Sequence, residues 1–249
     1  MLKTGRYGAR LAETAEDVEA AQRLRYAAFI AGTGAQTEGR DNGLDRDDFD
    51  GICCHVLVEE TGTGRLVCCF RLLPLTDGCE ISRSYSAQYY ELSALEAFDG
   101  RMVEMGRFCI HPEVKDPDVL RVAWGAMTRY VDDEKVEMIF GCSSFKGTEA
   151  EAYMDAFALL RERHLAPNRW LPRVKAPKVF RFGALLKRPD AKQAMLRMPP
   201  LLRTYLMMGG WVSDHAVVDP DLNTLHVFTG LEIGAIPPAR AKLLRATAG

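Results

Sequence analysis

Apolar positions along the chain recur with two periods, two for strands and about 3.6 for helices, and the switches between them delimit the elements. Tyr7 to Glu13 alternates as a first strand, and Ala15 to Ile30 puts Val18, Ala21, Leu24 and Ala28 on one helical stripe. Cys54 to Glu60 and Arg65 to Leu73 read as two strands joined by the turn Thr61-Gly62-Thr63-Gly64. Ile81 to Tyr85 reads as a short strand, Glu91 to Phe98 as a short helix and Met102 to Ile110 as a strand. Asp116 as cap with Pro117 behind it opens a helix that runs to Val131. A strand over Met138 to Ser143 and a helix over Thr148 to Arg163 follow, then a helix from Pro199 to Met207 stopped by Gly209-Gly210. Val212 to Val218 and Thr224 to Thr229 close the series as strands. Strands and helices interleave with several hairpin-like joins, which predicts an α/β (α+β) fold with a mixed central sheet flanked by helices. No linker composition interrupts it, so residues 1–249 are expected to form a single domain.

Two places break the pattern. From Ala31 to Gly51 apolar residues nearly vanish in favour of Gly32, Gly34, Gly39, Gly43 and Asp41, Asp45, Asp47, Asp48, Asp50. This predicts a long, mobile acidic loop, and loops of that length are usually functional lids or disordered segments. The spacing of its acids lacks the glycine and distal Glu of a calcium loop, so no metal site is expected. The second break is Glu104, an acid inside the apolar run Met102-Val-Glu-Met-Gly-Arg-Phe-Cys-Ile110. Strict alternation places it on one face with Met102, Gly106, Phe108 and Ile110. A carboxylate buried there is costly unless paired, and burial moves its proton affinity toward neutrality, where it serves as a base. A salt bridge to Arg71 or Arg107 is the structural alternative. Gly106 suggests a bulge or a close approach of a ligand to the backbone.

At 47% apolar the chain can bury a sizeable core. Its seven cysteines show no CxxC spacing and read as reduced core thiols. Neither a signal-peptide pattern nor a membrane-spanning run is visible, so a cytoplasmic location is expected, with peripheral contact to the inner membrane as an option. The net charge of -2 hides an asymmetry: residues 161–203 carry twelve Lys or Arg against Glu162 and Asp190, a local balance of +10. Such a basic segment suits an anionic partner, either an acidic protein or a membrane surface. Nucleic acid is not expected, because no recognition motif accompanies the charge. The helix at Pro117, with Lys115 and Arg121 nearby, offers a further place for phosphate groups, or is a plain packing helix.

Leu24-Arg-Tyr-Ala-Ala-Phe29, Asp47-Asp-Phe-Asp50, Arg71-Leu-Leu-Pro74 and Glu104-Met-Gly-Arg-Phe108 resemble, in order, the motifs of acyl-homoserine-lactone autoinducer synthases. These enzymes have the GCN5-related N-acyltransferase fold. Tyr85-Ser-Ala-Gln-Tyr-Tyr-Glu-Leu92, Glu104-Met-Gly-Arg-Phe-Cys-Ile-His-Pro112, Phe140-Gly-Cys-Ser-Ser144 and Asp221-Leu-Asn-Thr-Leu225 resemble more sharply the L-ornithine N-alpha-acyltransferases of bacterial ornithine-lipid synthesis. The resemblance implies an enzyme that moves a 3-hydroxyacyl chain from acyl carrier protein to the α-amine of ornithine, giving a lyso-lipid and using no cofactor. It makes Glu104 the base. It assigns the oxyanion and pantetheine arm to Gly106, Phe108, Cys109, Ile110 and Arg121. The acceptor falls to Arg25, Phe29, Asp45, Asp47, Asp50, Arg71 and Arg107, for which mutual ion pairing is the open alternative. Phe108 stands where ornithine acyltransferases more often have Ser, and Leu222 where they more often have Phe. Another acceptor such as glutamine, an acyl-homoserine-lactone synthase, or a non-catalytic module binding acyl chains or carrier protein therefore stay open.

Overall fold

A computed structural model describes residues 2–35, 42–184 and 187–248. Among these the chain forms β1 (Leu2–Thr4), β2 (Tyr7–Leu11), α1 (Ala15–Phe29), β3 (Cys54–Glu60), β4 (Leu66–Leu75), β5 (Tyr90–Glu91) and β6 (Met102–Ile110). It continues with α2 (Pro117–Glu134), β7 (Met138–Lys146), α3 (Met154–Arg163), β8 (Arg173–Val174), β9 (Val179–Phe180), α4 (Ala191–Arg197) and α5 (Pro200–Met207). The last elements are β10 (Trp211–Asp219), β11 (Thr224–Glu232) and α6 (Pro238–Ala248). Strands and helices alternate as the periodicity predicts, and most strands pair antiparallel.

The chain divides into two compact units. One comprises Met1–Pro74, Met105–Val136 and Pro238–Gly249. Its strands lie in the order β1-β2-β3-β4 followed by the second half of β6, and α2 packs on β2, β3 and α6. The helix starts are written in the sequence. The Thr14 side chain accepts from Asp17 N while Asp17 reaches back to the Thr14 backbone, which closes a capping box on α1. Asp116 accepts from Asp118 N with Pro117 in the first turn of α2. The hairpin turn between β3 and β4 closes through Gly64 N to Glu60 O, with Gly64 at φ +71°.

The other unit comprises Leu75–Glu104 and Glu137–Pro237, with strands in the order β6-β7-β11-β10-β9. Here β6 and β7 run parallel over Met102↔Met138, Val103↔Ile139 and Glu104↔Phe140, where their ladder ends. β7 continues its antiparallel ladder with β11 out to Lys146. Its core gathers Phe145, Phe157, Phe182, Leu160, Leu202, Val212, Leu225 and Val227, nearly all fully buried. At about 1.5–3 kcal/mol for each large side chain removed from water, this cluster is what holds the short helices α4 and α5 down.

Several expectations need correction. Ile81–Tyr85 is not a strand: Gly78–Arg83 is a 3-10 helix whose start Asp77 caps by accepting from Cys79 N. Gly78 lies so close under Leu95 O that a Cβ would stand 2.0 Å from it, and local packing overrides the apolar pattern. The short helix proposed for Glu91–Phe98 is 3-10 over Ser93–Ala97, and the one from Thr148 begins as 3-10 at Ala150–Tyr153. Strict alternation along β6 also fails, because Arg107 adopts φ +51°, a left-handed residue inside a strand. Such an interruption shifts the facing of every residue after it. The kink expected at Gly106 thus falls on its neighbour. Part of the acidic loop, residues 36–41, lies outside the described residues, as do residues 185–186 of the basic segment.

Candidate functional site

Glu104 is 4% exposed and sits at the last pair of the β6–β7 ladder. The turn after the Gly78–Arg83 helix supplies its partners. Tyr85 N donates to Oε2 at 2.7 Å, while Ser86 N at 2.7 Å and Ser86 Oγ at 2.5 Å both donate to Oε1. Three neutral donors converging on two oxygens fit an acceptor-only group, which is what an ionised carboxylate is. Ser86 is itself fully buried, and its Oγ lies 3.4 Å from Cys142 Sγ on β7. Tyr85 and Ser86 were not singled out as site residues in the sequence. Tyr85 N and Ser86 N are backbone groups, which leave no residue signature; the hint in the sequence is Tyr85-Ser86 at the start of the motif that runs to Leu92.

Beyond Glu104 the strand passes Gly106, where an added Cβ would meet nothing within 4 Å, and then the left-handed Arg107. Phe108 stacks on Phe70 with centroids 5.5 Å apart and planes at 24°. Ile110 is half-buried. The Cys109 side chain packs with Ala21, Leu24, Leu57 and Cys69. Its Sγ lies 3.5 Å from that of Cys69, and the thiol–thiol hydrogen bond together with burial pushes the Cys109 thiol well above its ordinary range. Phe29, one turn after Arg25, packs against the same apolar group. Arg121 is apart from these residues, exposed on α2 and ion-paired with Asp118 one turn earlier.

Six of the residues expected to meet an acceptor do converge, and they converge on each other. Arg25 and Asp45 are both 1% exposed, with Nε 3.1 Å from Oδ2, and Arg25 also lies 2.8 Å from Asp50. Arg71 grips Asp47 with both terminal nitrogens and reaches Asp50 at 2.9 Å. Arg107 bridges Asp47 at 3.0 Å and Asp45 at 3.2 Å. Asp50 lies in the short 3-10 helix Asp48–Gly51, which Asp47 caps. Gln22 donates to Asp50 at 2.9 Å, and Phe49 lies under the Arg71 guanidinium at 5.7 Å. Burial acts to raise the acids, but the arginines outweigh it. Asp47 is held below the ordinary carboxylate value, and Asp50 is brought down to about 2 by Arg25 and Arg71. His55, whose Nε2 is 3.1 Å from Asp50 O, is shifted down by burial and is neutral at pH 7. The internal pairing left open by the sequence is therefore present. Asp47 is the most accessible of the three acids, with 22% of its side chain exposed. Asp45 Oδ1 and Arg71 Nε keep no hydrogen-bond partner among the described residues.

In the basic segment, Arg169 pairs with Glu232 at 3.1 Å, Lys187 with Asp155 at 2.8 Å, and Lys175 donates to Ala87 O at 2.6 Å. No helix among the described residues is long and apolar enough to cross a membrane.

Residues 24–125 match the family model of an acetyltransferase (GNAT) domain. Over 239 residues the chain is 35% identical to an L-ornithine N(alpha)-acyltransferase of Rhodobacter capsulatus, covering 92% of this chain and 91% of the relative. A second L-ornithine N(alpha)-acyltransferase, from Brucella abortus, is 30% identical over 93% of this chain and 87% of its own length. Among solved structures, the CoA-dependent acyl-homoserine lactone synthase BjaI with SAM and isopentyl-CoA superimposes with a TM-score of 0.52. That match covers 98% of this chain and 89% of BjaI at 16% identity, a likeness of fold.

Proposed function

This chain belongs to the L-ornithine N(alpha)-acyltransferase family, and from that premise we propose that it transfers a 3-hydroxyacyl chain from acyl carrier protein to the α-amine of ornithine, producing lyso-ornithine lipid. The observation that carries the reading is Glu104, buried on β6 and held by Tyr85 N, Ser86 N and Ser86 Oγ. An α-ammonium has a pKa of about 8, so at neutral pH most of the acceptor arrives protonated and cannot attack a thioester. Glu104, directly or through one water, accepts the proton that must leave. The freed amine then attacks the thioester carbonyl; the carbon–nitrogen bond forms, the carbon–sulfur bond breaks, and the second proton that nitrogen loses in becoming an amide ends on the departing sulfur, so the carrier leaves as a thiol.

Proton uptake at Glu104 requires one of its partners to change role. Backbone N–H groups cannot, but a serine hydroxyl both donates and accepts. Ser86 Oγ–H turns away from Oε1 to accept from the newly formed carboxylic acid. Ser86 is thus a positioning residue that lets the carboxylate alternate between its two forms. Negative charge developing on the thioester oxygen is met by backbone N–H groups of the kinked stretch from Gly106 to Phe108, where the space beside Gly106 admits a ligand. The acceptor's own charges are matched to the arginine–aspartate cluster, with Asp47 toward the side-chain amine. The phosphodiester at the end of the carrier's pantetheine arm is assigned to the start of α2, where Arg121 is ion-paired with Asp118.

The test is direct. Pure protein is incubated with 3-hydroxyacyl carrier protein and a panel of amino acids, and products are read by mass spectrometry. N-acylornithine as the main product is expected. A homoserine lactone formed from S-adenosylmethionine, or no amide with ornithine, overturns the reading.

A further inference from the structure

The residues from Met195 to Met207 concentrate exposed apolar surface in the most basic part of the chain. Met195, Leu196 and Met207 are 42%, 72% and 51% exposed. Local geometry explains why. Ala194 on α4 and Met198, which caps its end, lie one turn apart and are buried, so Leu196, midway between them in sequence, projects from the opposite side. Lys192 stands one turn before Leu196 on that outward side, and Arg197 follows it. On α5, Leu202 and Tyr205 face the core, Met207 faces out, and Arg203, one turn before it, is half-buried. Both helices are short and are fixed to the core from beneath by Ala194, Met198 and Leu202.

The charges here differ from those elsewhere in the basic segment. Lys187 and Arg169 are neutralised by Asp155 and Glu232. Arg188, Lys192, Arg197 and Arg203 have no ion pair of this kind among the described residues, and the acid beside them, Asp190, is occupied capping α4 through Lys192 N and Gln193 N. An outward apolar ridge bordered by unneutralised cations is the composition that lies at a lipid–water boundary, apolar side chains inserted and basic ones against anionic headgroups. We propose that the outward faces of α4 and α5 are the docking surface of this protein for an anionic lipid bilayer. The inference deepens the proposed reaction, which releases an acylated product suited to a bilayer. Leu196 at 72% exposure forms a ridge rather than a groove, which favours a deformable bilayer over a folded acidic partner.

Sedimentation with vesicles tests it. The full chain is expected to bind vesicles of phosphatidylcholine with about one-third phosphatidylglycerol, to bind pure phosphatidylcholine at least tenfold more weakly, and to be released by salt. Two independent variants probe the two chemistries: Leu196→Ser with Met207→Ser, and Lys192→Glu with Arg197→Glu. Each is expected to lose about tenfold in vesicle binding while its circular dichroism and its ornithine acylation in vesicle-free solution stay as in the parent. Equal binding to neutral and anionic vesicles, or binding untouched by both variants, overturns the proposal. So does a variant that binds vesicles normally but needs more acyl carrier protein for half-maximal rate, since the surface then belongs to the carrier. Failure of acylation in the parent protein would count against the proposed reaction and leave the vesicle result standing on its own.

Discussion

Two buried acidic centres in this chain are built in opposite ways. In the first unit, Asp45, Asp47 and Asp50 are met by Arg25, Arg71 and Arg107, charge against charge. In the second, the oxygens of Glu104 are met by two backbone N–H groups and a hydroxyl, dipole against charge. Protonating Asp47 or Asp50 leaves guanidinium groups facing a neutral partner in a poorly solvated place, so both are held as anions. At Glu104 the Ser86 hydroxyl is a partner that can rotate from donor to acceptor. The cluster holds its charges in fixed pairs, whereas Glu104, in the proposed reaction, exchanges a proton.

The largest expected effect is at the exchanging centre. Glu104→Gln keeps the shape and loses the basic site, and kcat for ornithine acylation is expected to fall by about 100- to 10,000-fold with the fold unchanged by circular dichroism. A rate within a few-fold of the parent at saturating substrate would remove Glu104 from the reaction. The fixed centre should respond in stability instead. Arg25→Met takes one buried arginine from each of Asp45 and Asp50, leaving Arg107 on the first and Arg71 on the second, and urea unfolding is expected to show a loss of roughly 3 kcal/mol, the low end for a broken buried pair. A loss below about 1 kcal/mol would mean that water enters the cluster and the contrast between the centres is overstated.

The sequence carried the elements because their signals are local: the Thr14–Asp17 box, Asp116-Pro117 and the turn at Gly64 each act within a few residues. It also supplied both sides of the cluster, but not the pairing. Arg25 meets Asp45 across 20 positions and Arg107 meets Asp47 across 60, and a string of charges does not state which distant pairs close. The partners of Glu104 were hidden for a different reason, since a backbone N–H belongs to every residue and only its placement is special. The misread strand at Ile81–Tyr85 and the broken alternation at Arg107 arise where packing or a kink overrides periodicity.

Acid should separate the two kinds of centre further. Asp50 has a native value near 2 against an ordinary 3.8. Its contribution is therefore present above about pH 4 and is lost as pH falls through about 2. A shift of this size corresponds to about 2 kcal/mol. Asp50→Asn should cost about that much at pH 7, and the gap from the parent should close as both are titrated from pH 4 to pH 2 and followed by urea unfolding. A gap that stays constant over that range would show that packing, rather than charge, is what Asp50 supplies.

The smallest effect is the most specific to the exchanging centre. Ser86→Ala removes the hydroxyl's hydrogen bond to Glu104 and leaves the N–H donors of Tyr85 and Ser86 in place, so the carboxylate stays where it is. Losing one charge-assisted bond costs about 1.5–3 kcal/mol, but relaxation around so small a deletion argues for the lower end, a fall in kcat of about tenfold with KM for ornithine little changed. What is also lost is the group that rotates when the proton arrives, so the pH dependence of kcat should move along with its height. Ser86→Thr retains a hydroxyl and should restore much of both. If alanine lowers stability and leaves the pH profile in place, Ser86 is packing material; if alanine and threonine are equally poor, the crowded position rather than the hydroxyl explains the loss. Only a shifted profile that threonine reverses identifies the hydroxyl as the moving part of an otherwise fixed clamp.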